Sequence, residues 1–303
     1  MKKRKLGHSD LYVTELGLGC MSLGTDERKA QSIIEAALEE GINYFDTADL
    51  YDFGVNEEIV GKALKNVREH VIIATKAGNR WNQDRSGWTW DPSKAYIKEA
   101  VKQSLKRLGT DYIDLYQLHG GTIDDPIDET IEAFEDLVSE GFIRYYGISS
   151  IRSNVIREYV TKSHIISVMM QYSILDRRPE EVALPLLAEH GVSVVTRGSL
   201  AKGLLSDRVL DKATGKGYLD YSYEELLDVL PRLKESVGAG RSFTEVALQY
   251  NLANPAVASV VAGASSVEQI RSNAAAVRSR ALTDEEVALI KELTKASVYG
   301  EHR

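Results

Sequence analysis

The sequence predicts an α/β fold: a (β/α)8 TIM barrel with an N-terminal β-hairpin and additional helices. Three observations predict it. Short apolar runs alternate with helix-period patterns eight times after residue 15, the rhythm of a parallel sheet wrapped by helices. No composition break marks a linker, so residues 1–303 are expected to form a single domain. Polar residues with useful chemistry stand just past the ends of successive apolar runs, where a barrel places its site. An open doubly wound sheet is the rival; its Gly-x-Gly-x-x-Gly turn is approached by Gly17-Leu18-Gly19 but lacks the third glycine.

The elements follow in order. Arg4-Lys5-Leu6 and Tyr12-Val13-Thr14 flank the turn-prone Gly7-His8-Ser9-Asp10, a hairpin that would plug one barrel end. Leu16 to Gly19 reads as the first barrel strand, and Ala30 to Glu40 as its helix, stopped by Gly41. Ile42 to Phe45 is the second strand, with a helix near Glu57 to Asn66. Val71 to Thr75 is the third, followed by a polar loop from Ala77 to Pro92 that holds Trp81, Trp88 and Trp90. The loop has two readings, a lid packed on the rim or an aromatic substrate wall. Ser93 caps the next helix, where Ile97, Val101, Leu105 and Leu108 recur at helical spacing. Ile113 to Leu118 is the fourth strand; its helix opens at Pro126 and stops at Gly141. Strands five to seven are Ile143 to Ile148, Ile165 to Gln171 and Val192 to Thr196, with helices near Ser153 to Thr161 and Glu180 to His190. An irregular stretch follows, with helices from about Tyr223 and Thr244. Ala258 to Ala262 is the eighth strand, and a helix starts after Ser265-Ser266. Ser266-x-x-Gln269 and Thr283-x-x-Glu286 both have the capping-box pattern.

Composition narrows the function classes. The chain is 43% hydrophobic and 27% charged, an ordinary globular balance. A net charge of −8 argues against nucleic acid. The basic Met1 to Lys5 start has no apolar segment after it, and no run approaches a membrane span. The single cysteine, Cys20, excludes an intrachain disulfide and fits a cytoplasmic protein. Cys20 reads as structural, and the histidines show no metal-ligand spacing, so no metal is expected.

The chemistry gathers at three strand ends: Asp46 and Tyr51 after the second, Lys76 after the third, His119 after the fourth. Each alone has an ordinary reading, as a turn cap, a surface aromatic, a solvated cation or a core histidine. Together they make a proton-transfer set. A tyrosine with a free pKa of about 10 stays protonated at neutral pH. A nearby lysine lowers that pKa, and a carboxylate supports a buried lysine. A serine-hydrolase triad is conceivable from Ser149, His119 and Asp46, but the Gly-x-Ser-x-Gly elbow is absent.

These residues resemble the aldo-keto reductases, specifically the bacterial general reductases related to potassium-channel β subunits. The resemblance rests on Asp46-Thr47-Ala48-x-x-Tyr51, on Lys76, and on Leu115-Tyr116-Gln117-Leu118-His119. Gly147-Ile148-Ser149, Gln171-Tyr172-Ser173, Leu200 to Leu205 and Gly263-Ala264-Ser265-Ser266 with Gln269 and Asn273 extend it over nearly the whole chain. It implies reversible reduction of aldehydes and ketones with NADPH/NADP+. Tyr51 would be the proton donor, Asp46 and Lys76 its tuning pair, and His119 the carbonyl-orienting residue. Ser149 and Gln171 would hold the carboxamide. Ser199, Leu200, Lys202 and Gly203 would follow the pyrophosphate. Gly263, Ser265, Gln269 and Asn273 would hold the adenosine phosphate, with Arg271 as a candidate phosphate partner.

The chain departs from the family at three places. Ser150 follows Ser149 where asparagine is usual. Arg197 stands where an aromatic often stacks on the nicotinamide, and an arginine plane can take that role. Gly120-Gly121 follows His119 and predicts an open or mobile substrate rim. The expected partner is a small carbonyl compound, with no nucleic acid or membrane, and a monomer or weak homo-oligomer. Two rivals remain: a nicotinamide-binding redox sensor with little turnover, and a lyase using Lys76 as a Schiff-base nucleophile.

Overall fold

The computed structural model describes residues 1–206, 215–237 and 240–303. Residues 207–214, part of the irregular stretch expected after the seventh strand, lie outside the described residues. Eight parallel strands close a barrel: β3 (Leu16–Gly19), β4 (Tyr44–Asp46), β5 (Ile72–Ala77), β8 (Ile113–Leu118), β9 (Ile143–Ser149), β10 (Ser167–Gln171), β11 (Ser193–Arg197) and β12 (Val257–Gly263). The helices are α1 (Glu27–Glu39), α2 (Val55–Leu64), α3 (Lys94–Leu108), α4 (Ile127–Ser139), α5 (Ser153–Lys162), α6 (Ala183–Glu189), α7 (Tyr223–Val237), α8 (Phe243–Ala253), α9 (Val267–Arg278) and α10 (Asp284–Leu293). Of these α7 and α10 pack on each other as additions to the barrel ring.

Strand side chains alternate, so each strand serves two cores. Phe45, Ile73 and Tyr116 face the surrounding helices. Tyr44, Ile72, Ala74, Leu115, Met169 and Val195 fill the barrel interior. The hairpin β1 (Lys3–Lys5) and β2 (Tyr12–Thr14) plugs one end, as its pattern predicts, by driving Leu6, Leu11 and Val13 into that interior cluster.

Local chemistry sets the ends. Ser93 accepts from the Tyr96 N–H at 3.3 Å to open α3, and Asp26 accepts from Lys29 at 3.1 Å to open α1. Thr283 and Glu286 complete a capping box at α10. At α9 the expected box is displaced. Ser266 still caps Gln269, but the Gln269 carboxamide oxygen accepts from the Ser265 N–H at 2.7 Å instead.

Two further expectations are corrected. The Ala77 to Pro92 loop contains an antiparallel hairpin, β6 (Asn79–Trp81) and β7 (Trp88–Trp90), closed by a turn with Arg85 at φ 57°. Polar residues between the tryptophans hide its short alternation. The helix expected near Glu180 to His190 splits into a 3-10 turn, Arg178–Glu180, and the shorter α6. Pro179 favours that opening turn but supplies no N–H to a longer helix.

Candidate active site

The site follows from strand parity. In β4, β5 and β8 the inward positions run Tyr44 to Asp46, Ile72 to Ala74 to Lys76, and Leu115 to Gln117. The register pairs Asp46 with Ala74, and Lys76 with Gln117. Asp46, Lys76 and Gln117 therefore sit one layer above the apolar barrel interior, and His119 continues the same row. Ser149, Gln171 and Arg197 extend it along β9, β10 and β11, where Gln171 pairs with Arg197. Two-residue periodicity thus brings the residues named from sequence to one mouth.

Lys76 is fully buried. Its Nζ donates to Asp46 Oδ1 at 2.6 Å and to the Thr47 carbonyl at 2.7 Å. It lies 5.2 Å from the Tyr51 ring centroid. Burial alone would lower the ammonium pKa; the Asp46 carboxylate and Tyr51 outweigh it and raise it, so Lys76 is held charged. Gln117 Nε2 donates to the second Asp46 oxygen at 3.4 Å. The sequence motif contained Gln117, but only its inward register reveals this contact.

Tyr51 opens a tight turn, Tyr51–Gly54, in which Asp52 and Phe53 adopt left-handed backbones at φ 49° and 52°. Two adjacent non-glycine residues there mark strain held by the surroundings. Gly54 is required next: a Cβ would lie 2.7 Å from Arg107 Cδ and 2.8 Å from the Trp81 ring. The Tyr51 and His119 rings meet edge to face at 5.9 Å. The His119 backbone N–H donates to the Ala77 carbonyl at 2.8 Å, and Asn79 donates to the His119 carbonyl at 3.1 Å. Burial, then the Lys76 and Arg197 cations, push the His119 imidazole down to about 3. It is therefore neutral near pH 7, and its buried Nδ1 has no hydrogen-bond partner.

Cys20 is buried and its thiol pKa is raised, chiefly by that burial, consistent with a packing role. The expectation of an open rim at Gly120-Gly121 is corrected. A Cβ on Gly120 would lie 3.2 Å from the Trp90 ring, so the glycine lets Trp90 pack down. Trp90 Nε1 donates to Asp125 Oδ1 at 2.9 Å, Trp81 packs on Phe53, and Trp88 is exposed.

The other half of the mouth fits a dinucleotide in its donor chemistry. Arg197 donates to Gln171 Oε1 at 3.0 Å, while Gln171 Nε2 donates to the buried Asp176 at 2.8 Å. Asp176 in turn pairs with Arg178 at 2.7 Å, a support that sequence reasoning missed. Ser149 ends β9 beside them. The loop beyond β11 carries Leu200, then Ala201 and Lys202 in left-handed backbone, then Gly203 at φ 94°. Ser199 stands apart from its expected role: its hydroxyl turns inward to Asn251 at 3.1 Å, leaving only backbone for a ligand. Gly263 approaches Ser22 so closely that a Cβ would lie 2.5 Å from that hydroxyl. Ser265 and Gln269 mark the N-terminus of α9, a natural anion site. Asn273 is buried on the same helix, and Arg271 is exposed and loosely paired with Glu39 at 3.5 Å.

Known proteins resemble the chain in sequence and fold. The Aldo/keto reductase family profile matches residues 15–295. The chain is 62% identical to Uncharacterized oxidoreductase YqkF of Bacillus subtilis (strain 168), with 100% of each chain covered. It is 33% identical to the NADH-specific methylglyoxal reductase of Escherichia coli (strain K12), covering 98% of this chain and 99% of that one. The holo form of aldo-keto reductase AKR11C1 from Bacillus halodurans superposes with a TM-score of 0.95 at 64% identity, covering 100% and 99% of the two chains.

Proposed function

Because the chain belongs to the aldo/keto reductase family, we propose that it is an NADPH-dependent carbonyl reductase acting reversibly on aldehydes and ketones. The observation that carries the reading is the buried Lys76 ammonium, shared between Asp46 and the face of Tyr51. Bound at the β9 to β12 rim, the cofactor would supply the hydride. Tyr51 donates a proton to the oxygen that becomes an alkoxide as hydride arrives. Lys76 stabilises the phenolate left behind, and Asp46 balances Lys76. Neutral His119 orients the carbonyl oxygen with a ring N–H. Ser149 and Gln171 would hold the carboxamide, Arg197 would cover the nicotinamide ring, and the Leu200 to Gly203 loop would follow the pyrophosphate. Gly263, Ser265, Gln269 and Asn273 would take the adenosine phosphate.

A lysine held as ammonium lacks the free lone pair of a Schiff-base nucleophile, which argues against the lyase reading. Preference for NADPH rests on Ser265 and Arg271 at the start of α9. We further assign the chain to a single cytoplasmic domain, monomeric or weakly associating. No helix among the described residues is long and apolar enough to cross a membrane.

The test is oxidation of NADPH and of NADH with a reactive aromatic aldehyde, wild type beside Tyr51→Phe. The reading expects turnover that favours NADPH and collapses in Tyr51→Phe while cofactor binding persists. Cofactor binding without turnover in either protein would move the sensor reading ahead. A preference for NADH would overturn the cofactor assignment alone.

A further inference from the structure

Residues 294–303 form a tail that leaves α10 and crosses the segments following β9 and β10. Its start is held by Arg177, which donates to the Thr294 carbonyl at 3.1 Å and to the Thr294 hydroxyl at 3.2 Å. The Lys295 N–H donates to the Tyr221 hydroxyl at 2.7 Å. At its end the His302 carbonyl accepts from the Asn154 N–H at 2.9 Å, and Arg303 pairs with Glu181. Tyr299 sits between these anchors and is 8% exposed. Its ring centroid lies 4.8 Å from the Arg178 guanidinium carbon. Its hydroxyl is buried with no hydrogen-bond partner among the described residues.

Arg178 leads from the tail to the mouth. Its Nε donates to Asp176 Oδ1 at 2.7 Å and its Nη2 to Oδ2 at 2.8 Å, a bidentate grip on a fully buried carboxylate. Oδ2 also accepts from Gln171 Nε2 at 2.8 Å. Beneath them Ser173 and Asp176 exchange backbone N–H to carbonyl bonds at 3.2 and 3.1 Å. A carboxylate only accepts, and a guanidinium only donates. With Asp176 on its nitrogen and Arg197 donating to its oxygen at 3.0 Å, the Gln171 amide has one orientation. The oxygen stands on the Arg197 side, where it can accept from the N–H2 of a carboxamide. Turned over, Gln171 would meet N–H donors with N–H donors.

We propose that Tyr299 is a positioning residue for the nicotinamide half of the cofactor site: its ring covers Arg178, which pins Asp176 and thereby the acceptor end of Gln171. This role rests on the proposed nicotinamide cofactor. A buried carboxylate depends on its cation, and an aromatic face that attracts the guanidinium and keeps water from it holds the pair in one geometry. The ring does this; the unpartnered hydroxyl is dispensable. The start of α9, where the adenosine phosphate would bind, has its own bonds among Ser265, Ser266 and Gln269 and takes no part in this chain of contacts.

The test titrates NADP+ into the full chain by calorimetry and, separately, adenosine 2′,5′-bisphosphate, which carries only the adenosine half. Tyr299→Leu should weaken NADP+ binding about three- to tenfold and leave the bisphosphate unchanged. Tyr299→Phe keeps the ring and should match wild type with both. Asp176→Asn should show the same selective loss, which keeps the test open if Tyr299→Leu does not fold. Adding Tyr299→Leu to Asp176→Asn should cost nothing more, because the two residues act in series. Equal losses for both ligands in Tyr299→Leu, or no loss for either, would leave Tyr299 a merely structural residue and overturn the proposal. A loss in Tyr299→Phe, or additive losses in the double variant, would overturn it too. A wild type that leaves NADP+ unbound would overturn the cofactor reading, and this role with it.

Discussion

At the ends of β4, β5 and β8 the charged pair is buried and bonded: Lys76 has Asp46 and the Thr47 carbonyl, and Asp46 has Gln117 as well. At the ends of β9 to β12 the outermost cation stands in solvent: Arg197 is exposed and held by one bond to Gln171, above the buried Asp176. The first half is bonded within the protein alone, which is what the proposed proton donor needs, since its field must already be in place when the substrate arrives. The second half is shaped by left-handed turns and a helix end, and under the proposed function it would take a large polar cofactor that must come and go. One mouth thus combines a buried, internally bonded half with a more exposed one.

Mutations separate the halves. Tyr51→Phe should lower kcat by about 10²–10⁴-fold with the cofactor Kd unchanged, read from NADPH oxidation and fluorescence titration. A cofactor Kd that moved as far as kcat would erase the distinction. Lys76→Met leaves Asp46 buried without its cation and should cost about 3–5 kcal/mol in denaturant unfolding. Lys76→Met with Asp46→Leu should recover much of that loss, since no buried charge is then left alone.

Acid titration sharpens the same contrast. The folded His119 pKa, about 3, lies below its unfolded value of about 6.5. As pH falls below 6.5 the unfolded chain takes up the proton first, so stability declines toward pH 3 and is flat with respect to this group above 6.5. Relative to His119→Gln, wild type should lose about 2 kcal/mol by pH 5, measured by urea midpoints. An equal pH slope in both proteins would remove His119 from the buried half. The smallest effect belongs to the rim. Arg197→Ala should weaken cofactor binding about two- to fivefold, as for an exposed cation over a ring, with unfolding unchanged within about 0.5 kcal/mol.

Much of this was legible beforehand. The alternation of apolar runs and helix-period segments announced the barrel, and the last inward positions of its strands announced Asp46, Lys76 and His119. The tryptophan hairpin was not legible, because β6 and β7 are three residues each, too short for periodicity to register. Gly120 read as an open rim, yet Trp90 fills the space above it.

The sequence by itself determined the barrel, the plugging hairpin and the side of each strand that faces inward, since period and polarity are properties of neighbours along the chain. Tertiary structure alone decided the partners: Gln117 on Asp46, Ser199 turned to Asn251, and Asp176 beneath Gln171. These contacts join residues from different strands, turns and helices. Their distances and burial, and with them the charge on His119, exist only once the barrel has closed and excluded water.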